Sequence, residues 1–125
     1  MTHTRDGRYG PQTPKVEALI QRARTLTGDE ADALLAARYA AYDAAYDAAR
    51  YAAWDAARYA ARDAAWYAAR DATRYAAWDA TCALVVRDLI GQHGLTQAHY
   101  DALTGPWRRT VGPIHPDDED LRGKP

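Results

Sequence analysis

The chain has 125 residues, and its 16 Lys and Arg residues against 17 Asp and Glu residues give a formal net charge of −1. This near-neutral balance disfavours sequence-independent binding to the phosphates of nucleic acids, which requires an excess of basic residues. The length fits one domain, the single cysteine, Cys82, excludes an internal disulfide, and no apolar run is long enough to cross a bilayer. We therefore expect a cytoplasmic protein that makes no contact with a membrane.

The N-terminal part of the chain predicts a loose segment followed by a short helix. Residues 1–12 include glycine and proline, and we expect them to be flexible. Thr13 and Pro14 then provide an N-cap and a first-turn proline for a helix over residues 14–26. The apolar residues of this segment recur at helical spacing, which predicts one buried face.

An Ala-Ala-x-x repeat occupies the middle of the chain, over residues 36–81. Its third position is Arg, Tyr or Trp, its fourth is Tyr or Asp, and its phase never shifts. A capping box at Thr27 and Glu30 precedes it, and residues 29–90 contain neither glycine nor proline. These features predict one helix over residues 29–90, about 90 Å long at about 1.5 Å per residue. A helical hairpin, broken near the middle of the repeat, is the alternative.

The C-terminal part predicts a second short helix and a tail. Leu95 and Thr96 resemble a hydrophobic staple and an N-cap, and they open a helix over residues 96–103. A Gly-Pro pair is expected to end this helix. Residues 105–125 contain several prolines and an acidic patch, so we expect an extended or disordered acidic tail.

The sequence therefore predicts an all-α fold in which alanine pairs hold helices close together. Alanine buries little apolar area, and the repeat contains no Leu, Ile, Val or Phe, so many close contacts must compensate. A lone long helix would leave the alanine seam unburied, and we therefore expect a self-associating protein, a homo-oligomer. The expected contact between copies consists of Ala52, Ala53, Ala56, Ala57, Ala60, Ala61, Ala64 and Ala65.

Nothing in the sequence predicts catalysis, a cofactor or a metal. No acid–base pair, nucleophile constellation or phosphate loop is recognisable. The spacing of His93, His99, Asp101 and His115 matches no pattern of metal ligands. Cys82 lacks an identifiable base, so a small buried thiol is expected. We expect a non-enzymatic interaction or structural protein.

The aromatic residues suggest a second way to bind a partner. The alternative to self-association is an inhibitor or immunity-like protein that binds a host protein, with tryptophans as hot spots. The candidate hot spots are Trp54, Trp66, Trp78 and Trp107. Arginines interleaved with Trp and Tyr would also suit stacking on single-stranded nucleic acid. Matching aspartates cancel the positive field, so nucleic acid is the less expected partner.

A resemblance covers residues 36–118 and rests on the tetrads AAWDAARYAARDAAWYAARDA and the stretch ALVVRDLIGQHGLTQAHYDALTGPWRRTVGPIHPDD. These segments resemble small alanine-rich proteins of actinobacteria and their bacteriophages. The resemblance implies a phage-encoded protein in a group whose members mostly lack an assigned activity. Similar tetrads occur in immunity-like proteins, which implies action by binding a partner.

Overall fold

A computed structural model gives the fold of residues 9–49, 55–92 and 94–123. Every regular element in these ranges is helical, which confirms the all-α class. The α-helices are α1 (Thr13–Arg24), α2 (Gly28–Ala40), α3 (Tyr42–Ala49), α4 (Asp55–Tyr67), α5 (Arg74–Val85) and α6 (Gln97–Thr110). Short 3₁₀ segments lie at Gly10–Gln12, Asp71–Thr73 and Arg87–Leu89. No helix in the described ranges is long and apolar enough to cross a membrane.

The single continuous helix predicted over residues 29–90 is wrong. Helix α2 ends at Ala40 and α3 begins at Tyr42, because the backbone of Ala41 between them leaves helical geometry, with φ −101° and ψ 9°. An alanine seam with a period of four drifts about 40° around a helix per tetrad, so a straight helix would carry it away from a fixed neighbour. Shorter helices direct the seam back to the interior, and this packing outweighs local helix propensity.

Helices α4 and α5 form a helical hairpin, but its connection, residues 68–73, lies in the last third of the repeat and not near the middle, where the alternative prediction placed the break. This connection contains neither glycine nor proline. Ala69 instead donates its N–H to the carbonyl of Ala23, in the last turn of α1, at 2.9 Å. The bond satisfies a helix-terminal carbonyl that would otherwise lack a partner. A long-range contact therefore helps to end α4, and the sequence near residue 70 gives no sign of it.

Two apolar clusters form the core, and both combine alanines with larger side chains. The first cluster consists of Tyr9, Val16, Leu19, Ala23, Leu26, Leu34, Ala60, Ala64, Ala68, Ala76, Ala77, Ala80, Leu84 and Trp107. The second consists of Ala48, Ala57, Ala61, Cys82, Ala83, Val86, Leu95, Tyr100 and Leu103. The hairpin contributes most of the alanines, while α1 and α6 contribute larger residues that fill the remaining space.

The N-terminal segment is less loose than predicted. Tyr9 is buried in the first cluster, its hydroxyl donates to Asp63, and its N–H donates to Oγ1 of Thr13 at 3.0 Å. Burial of the tyrosine ring offsets the entropy lost when this part of the chain becomes ordered. The flexible segment predicted over residues 1–12 is therefore wrong for residues 9–12, and residues 1–8 lie outside the described ranges.

The second short helix is longer than predicted, because α6 continues through Pro106 to Thr110. Proline inside a helix costs about 3 kcal/mol, since it removes a hydrogen bond and crowds the preceding turn. Trp107 follows immediately and is 2% exposed in the first cluster. Deleting a buried tryptophan typically costs about 3–5 kcal/mol, so its burial is large enough to offset the proline.

The remaining tail is folded onto α6 and is not the extended or disordered segment predicted from residue 105 onward. Asp118 accepts a hydrogen bond from the Tyr100 hydroxyl at 3.0 Å and from the N–H groups of Ile114 and His115 at 3.1 Å. Arg108 donates to the carbonyl of Glu119 at 3.0 Å. One buried arginine and one tyrosine of α6 thus hold the acidic tail in place.

Candidate functional site

A groove of about 440 Å³ lies between α2, α3 and α5, and tyrosines line it. Tyr39 is at the end of α2, Tyr42 and Tyr46 belong to α3, and Tyr75 reaches the groove from α5. Between 51% and 73% of each tyrosine is exposed, which is high for large aromatic residues. We call this surface, completed by Leu35 and Arg38, the tyrosine groove.

The break between α2 and α3 places the first three tyrosines. Tyr39, Tyr42 and Tyr46 come from consecutive tetrads, and the chain turns at Ala41 between them. The rings of Tyr42 and Tyr46 lie one helical turn apart, with centroids 6.1 Å from each other. Folding of the hairpin then brings Tyr75 to the same groove. The aromatic surface therefore depends on two departures from a straight helix.

A buried ion pair adjoins the tyrosine groove. Nε of Arg38 donates to Oδ2 of Asp79 at 2.7 Å, and the two side chains are 14% and 6% exposed. The guanidinium of Arg38 also lies 5.3 Å from the centroid of the Tyr42 ring. Burial raises the pKa of the Asp79 carboxyl to about 6, although the charge of Arg38 and its hydrogen bond act in the opposite direction.

Beside the groove, a shallower depression adds a negative charge. Asp43 lines this depression together with Tyr39 and Tyr42, and its side chain is exposed. Because Asp79 compensates the charge of Arg38, the surface around the tyrosines combines ring faces, hydroxyl groups and one exposed carboxylate. These groups suit reversible binding of apolar or cationic groups.

Two titratable side chains of the core, Cys82 and Tyr100, are in environments that disfavour the deprotonated form that a nucleophile needs. Burial raises the pKa of the Cys82 thiol to about 12, and the nearby charge of Asp79 adds to this effect. Burial also raises the pKa of Tyr100, whose hydroxyl is hydrogen-bonded to Asp118. Both groups are therefore protonated near neutral pH, and Cys82 lies with its sulfur 3.8 Å from the carbonyl oxygen of Ala57.

Two of the histidines considered as metal ligands, His99 and His115, make separate hydrogen bonds to backbone N–H groups. Nδ1 of His99 accepts the N–H of Thr96 in the capping box of α6, and Nδ1 of His115 accepts the N–H of Asp117. His93 lies outside the described residues. In the part of the chain that the structure describes, His, Cys, Asp and Glu side chains form no group of three or more that could hold a metal ion.

The alanines predicted to join two copies are largely buried within one chain. Ala57, Ala60, Ala61 and Ala64 have no exposed surface, and Ala65 is half-buried. These four completely buried alanines are therefore not available to a second copy in the folded chain. Ala52, Ala53 and the side chain of Ala56 lie outside the described part of the structure.

The tryptophans predicted as hot spots have different environments. Trp66 is 71% exposed, Trp78 is half-buried, and Trp107 is buried in the core. The role predicted for Trp107 is wrong for the folded chain, because its ring has almost no surface to offer to a partner. Trp54 lies outside the described residues.

The tyrosines were missed as binding residues, although the sequence carried one signal for three of them. The first tetrads contain Tyr39, Tyr42 and Tyr46 within eight residues, which is the densest run of tyrosine in the repeat. No local pattern could have indicated Tyr75, because its place in the groove depends on how the hairpin folds.

Comparisons with known proteins give no relative for this chain. No protein-family model, no curated protein and no solved structure matches it. The resemblance to small alanine-rich proteins of actinobacteria and their phages therefore stays a prediction.

Proposed function

We propose that this chain is a non-enzymatic protein-binding module that holds a segment of a partner in the tyrosine groove. The observation that supports this proposal is the convergence of four exposed tyrosines from α2, α3 and α5 on one groove. Tyrosine offers a large, rigid contact area with a polar end and loses little side-chain entropy on binding. It is also among the residues most enriched in the energetic centres of protein interfaces.

The chemistry of the groove favours a partner segment that carries both apolar and basic side chains. Ring faces attract cations, and the exposed carboxylate of Asp43 adds a negative charge at the edge. The positive charge of Arg38 opposes this attraction only weakly, because Asp79 compensates it. An arginine or lysine of the partner would lie across the rings, while apolar residues would contact Leu35.

A second copy of the chain is the alternative occupant of the groove. The sequence predicts a homo-oligomer because a lone helix would leave its alanine seam unburied. The structure buries four alanines of that seam within one chain, which weakens the case for a homo-oligomer: Ala57, Ala60, Ala61 and Ala64. The proposal includes the phage origin that the resemblance implies, in which case the partner is a protein of the bacterial host. A partner of this kind fits the immunity-like alternative better than self-association does.

Site-specific photo-crosslinking tests the proposal. A photoreactive amino acid in place of Tyr46 is expected to capture a defined partner chain in a lysate of the bacterial host, and mass spectrometry identifies that chain. The same probe in place of Tyr67 provides the control, because Tyr67 is similarly exposed and does not line the groove. Sedimentation of the purified chain over a wide concentration range shows whether a second copy is the occupant.

Variants of the groove test whether the crosslinked partner binds at the tyrosine groove. The double variant Tyr39→Ser and Tyr75→Ser is expected to weaken binding of the identified partner by at least about tenfold, while Tyr67→Ser leaves it unchanged. Unchanged binding in the double variant, or an equal loss in Tyr67→Ser, would refute the proposed role of the groove.

A further inference from the structure

A second cluster of arginines and aromatic rings lies where α4 packs against α5. Arg58, Tyr59 and Arg62 from α4 and Trp78 from α5 line a cleft of about 250 Å³, which shares no residue with the tyrosine groove. We call it the arginine–tryptophan cleft. The repeat predicts interleaved arginines and aromatics along one helix, but the hairpin brings Trp78 beside arginines that precede it by 16 and 20 residues.

The two arginines of this cleft are exposed, and the described part of the structure gives neither of them a carboxylate partner. Among the described residues, Arg58 and Arg62 make no hydrogen bond, ion pair or ring contact. Other arginines of the chain form ion pairs, for example Arg38 with Asp79 and Arg108 with Asp101. Asp63, which follows Arg62 in sequence, accepts a hydrogen bond from the Tyr9 hydroxyl, and the side chain of Asp55 lies outside the described part of the structure.

The spacing of the arginines suits a phosphate. Four residues in a helix correspond to about one turn and about 6 Å along the axis, so Arg58 and Arg62 lie on the same face of α4. Two guanidinium groups at this separation can each donate to the same phosphate, and arginine donors match phosphate geometry well. Because no described carboxylate pairs with either arginine, their charges are available to such a ligand.

The aromatic residues suit a planar group beside that phosphate. Trp78 is half-buried, so its ring is held by the protein while part of it remains accessible. Tyr59 is held on its other side by Tyr9, whose ring centroid lies 6.0 Å away. Any of the nucleobases can stack on such rings, and a nucleotide carries a base and a phosphate at adjacent positions. The cleft of about 250 Å³ lies just below the usual range of ligand sites, about 300–1,000 Å³, so a ligand no larger than one nucleotide unit is expected.

We propose that the arginine–tryptophan cleft binds one nucleotide unit, with its phosphate between Arg58 and Arg62 and its base against Trp78. The site is local, so it is compatible with a chain whose total charge is −1. A contact with one phosphate of a single strand gives a salt slope of about −0.7, far shallower than that of a protein that tracks a nucleic-acid backbone. The nucleotide is either free or part of a single strand, and the experiment distinguishes these sources.

Fluorescence anisotropy of a short fluorescein-labelled oligothymidylate tests the proposal. The full chain is expected to bind this probe at low salt with the shallow slope given above. Thymidine monophosphate and inorganic phosphate serve as competitors. Competition by the nucleotide identifies a free nucleotide as a source, while binding of the oligonucleotide alone identifies a single strand. Inorganic phosphate that competes as well as thymidine monophosphate would overturn the role given to the base.

Matched variants assign the binding to the cleft. The double variant R58Q/R62Q is expected to weaken binding by at least about tenfold, and Trp78→Leu by about tenfold through lost stacking. The control R70Q/R109Q changes the net charge equally at two exposed arginines outside the cleft and is expected to bind as the unchanged chain does. Circular dichroism checks that each variant is folded. Absence of binding to the unchanged chain, or equal losses in the two double variants, would overturn the proposal.

Discussion

Ala60 illustrates how a small residue takes a central place in this fold. It is completely buried, and its cluster also contains Leu34, Leu84 and Trp107. A methyl side chain buries little area by itself and takes up little space in the core. Larger side chains from other helices then supply most of the apolar area that stabilises the chain.

We expect Ala60→Leu to destabilise the folded chain by about 1–3 kcal/mol, because the extra atoms must displace a close-packed helix. Ala36→Leu is the control, since Ala36 is exposed on α2 and leucine is nearly as good a helix former as alanine. Urea unfolding followed by circular dichroism measures both free energies. Equal stability of the two variants would contradict close packing at Ala60.

Asp79 makes stability depend on pH in a direction opposite to that of most paired carboxylates. Its pKa is about 6 in the fold, against 3.8 for an unperturbed aspartate, so between these values the folded chain keeps a proton that the unfolded chain has lost. The stabilising contribution is fully present below pH 3.8 and is lost as the pH rises through 6. The full effect corresponds to about 3 kcal/mol.

We therefore expect the stability difference between the unchanged chain and Asp79→Asn to depend on pH. The unchanged chain should gain about 2 kcal/mol relative to the variant when the pH falls from about 7 to about 4.5, because asparagine cannot take up the proton. Urea unfolding at the two pH values measures the difference. Asp71→Asn serves as the control, since Asp71 is exposed on the surface. An identical pH dependence for the unchanged chain and Asp79→Asn would refute this account.

At the scale of helices, most local signals were readable in the sequence and long-range ones were not. The capping box at Thr27 and Glu30 and the N-cap at Thr96 were predicted correctly, because each depends on residues within one turn. The N-cap predicted at Thr13 was wrong, because α1 begins at Thr13 itself and Gln12 precedes it without a capping side-chain bond. The end of α4 was not predicted, because it involves a hydrogen bond between Ala69 and Ala23. The same reason explains why the sequence predicted tyrosines on a helix but not a tyrosine groove.

The length of α6 provides another test, because the burial of Trp107 is our explanation for a helix that passes through Pro106. Trp107→Ala is expected to cost about 3–5 kcal/mol and to shorten the helix. Trp66→Ala is the matched control, since Trp66 is 71% exposed, and it should change stability by less than about 0.5 kcal/mol. Urea unfolding gives both values, and amide hydrogen exchange of residues 104–110 reports on the helix. A comparable cost for the two variants would contradict the explanation.

At the scale of the whole molecule, the four-residue period is the source of both the correct and the incorrect predictions. It indicated helices with alanine faces, and the described residues are helical throughout the repeat apart from the breaks. It could not indicate whether the alanines meet another chain or the same one, since both arrangements satisfy the same pattern. In the described chain the alanines of the hairpin pack against the larger residues of α1 and α6, which complete the core.

Small-angle X-ray scattering separates a folded-back repeat from the extended helix that the sequence alone suggested. A compact chain of 125 residues should have a radius of gyration near 14 Å. A continuous helix over residues 29–90 would instead give a particle about 90 Å long. We expect the compact value, with the mass of one chain at low concentration, because the alanines of the hairpin are buried within one copy. A long particle of dimeric mass would mean that the alanine faces meet between copies, and the tyrosine groove would then not exist in that form.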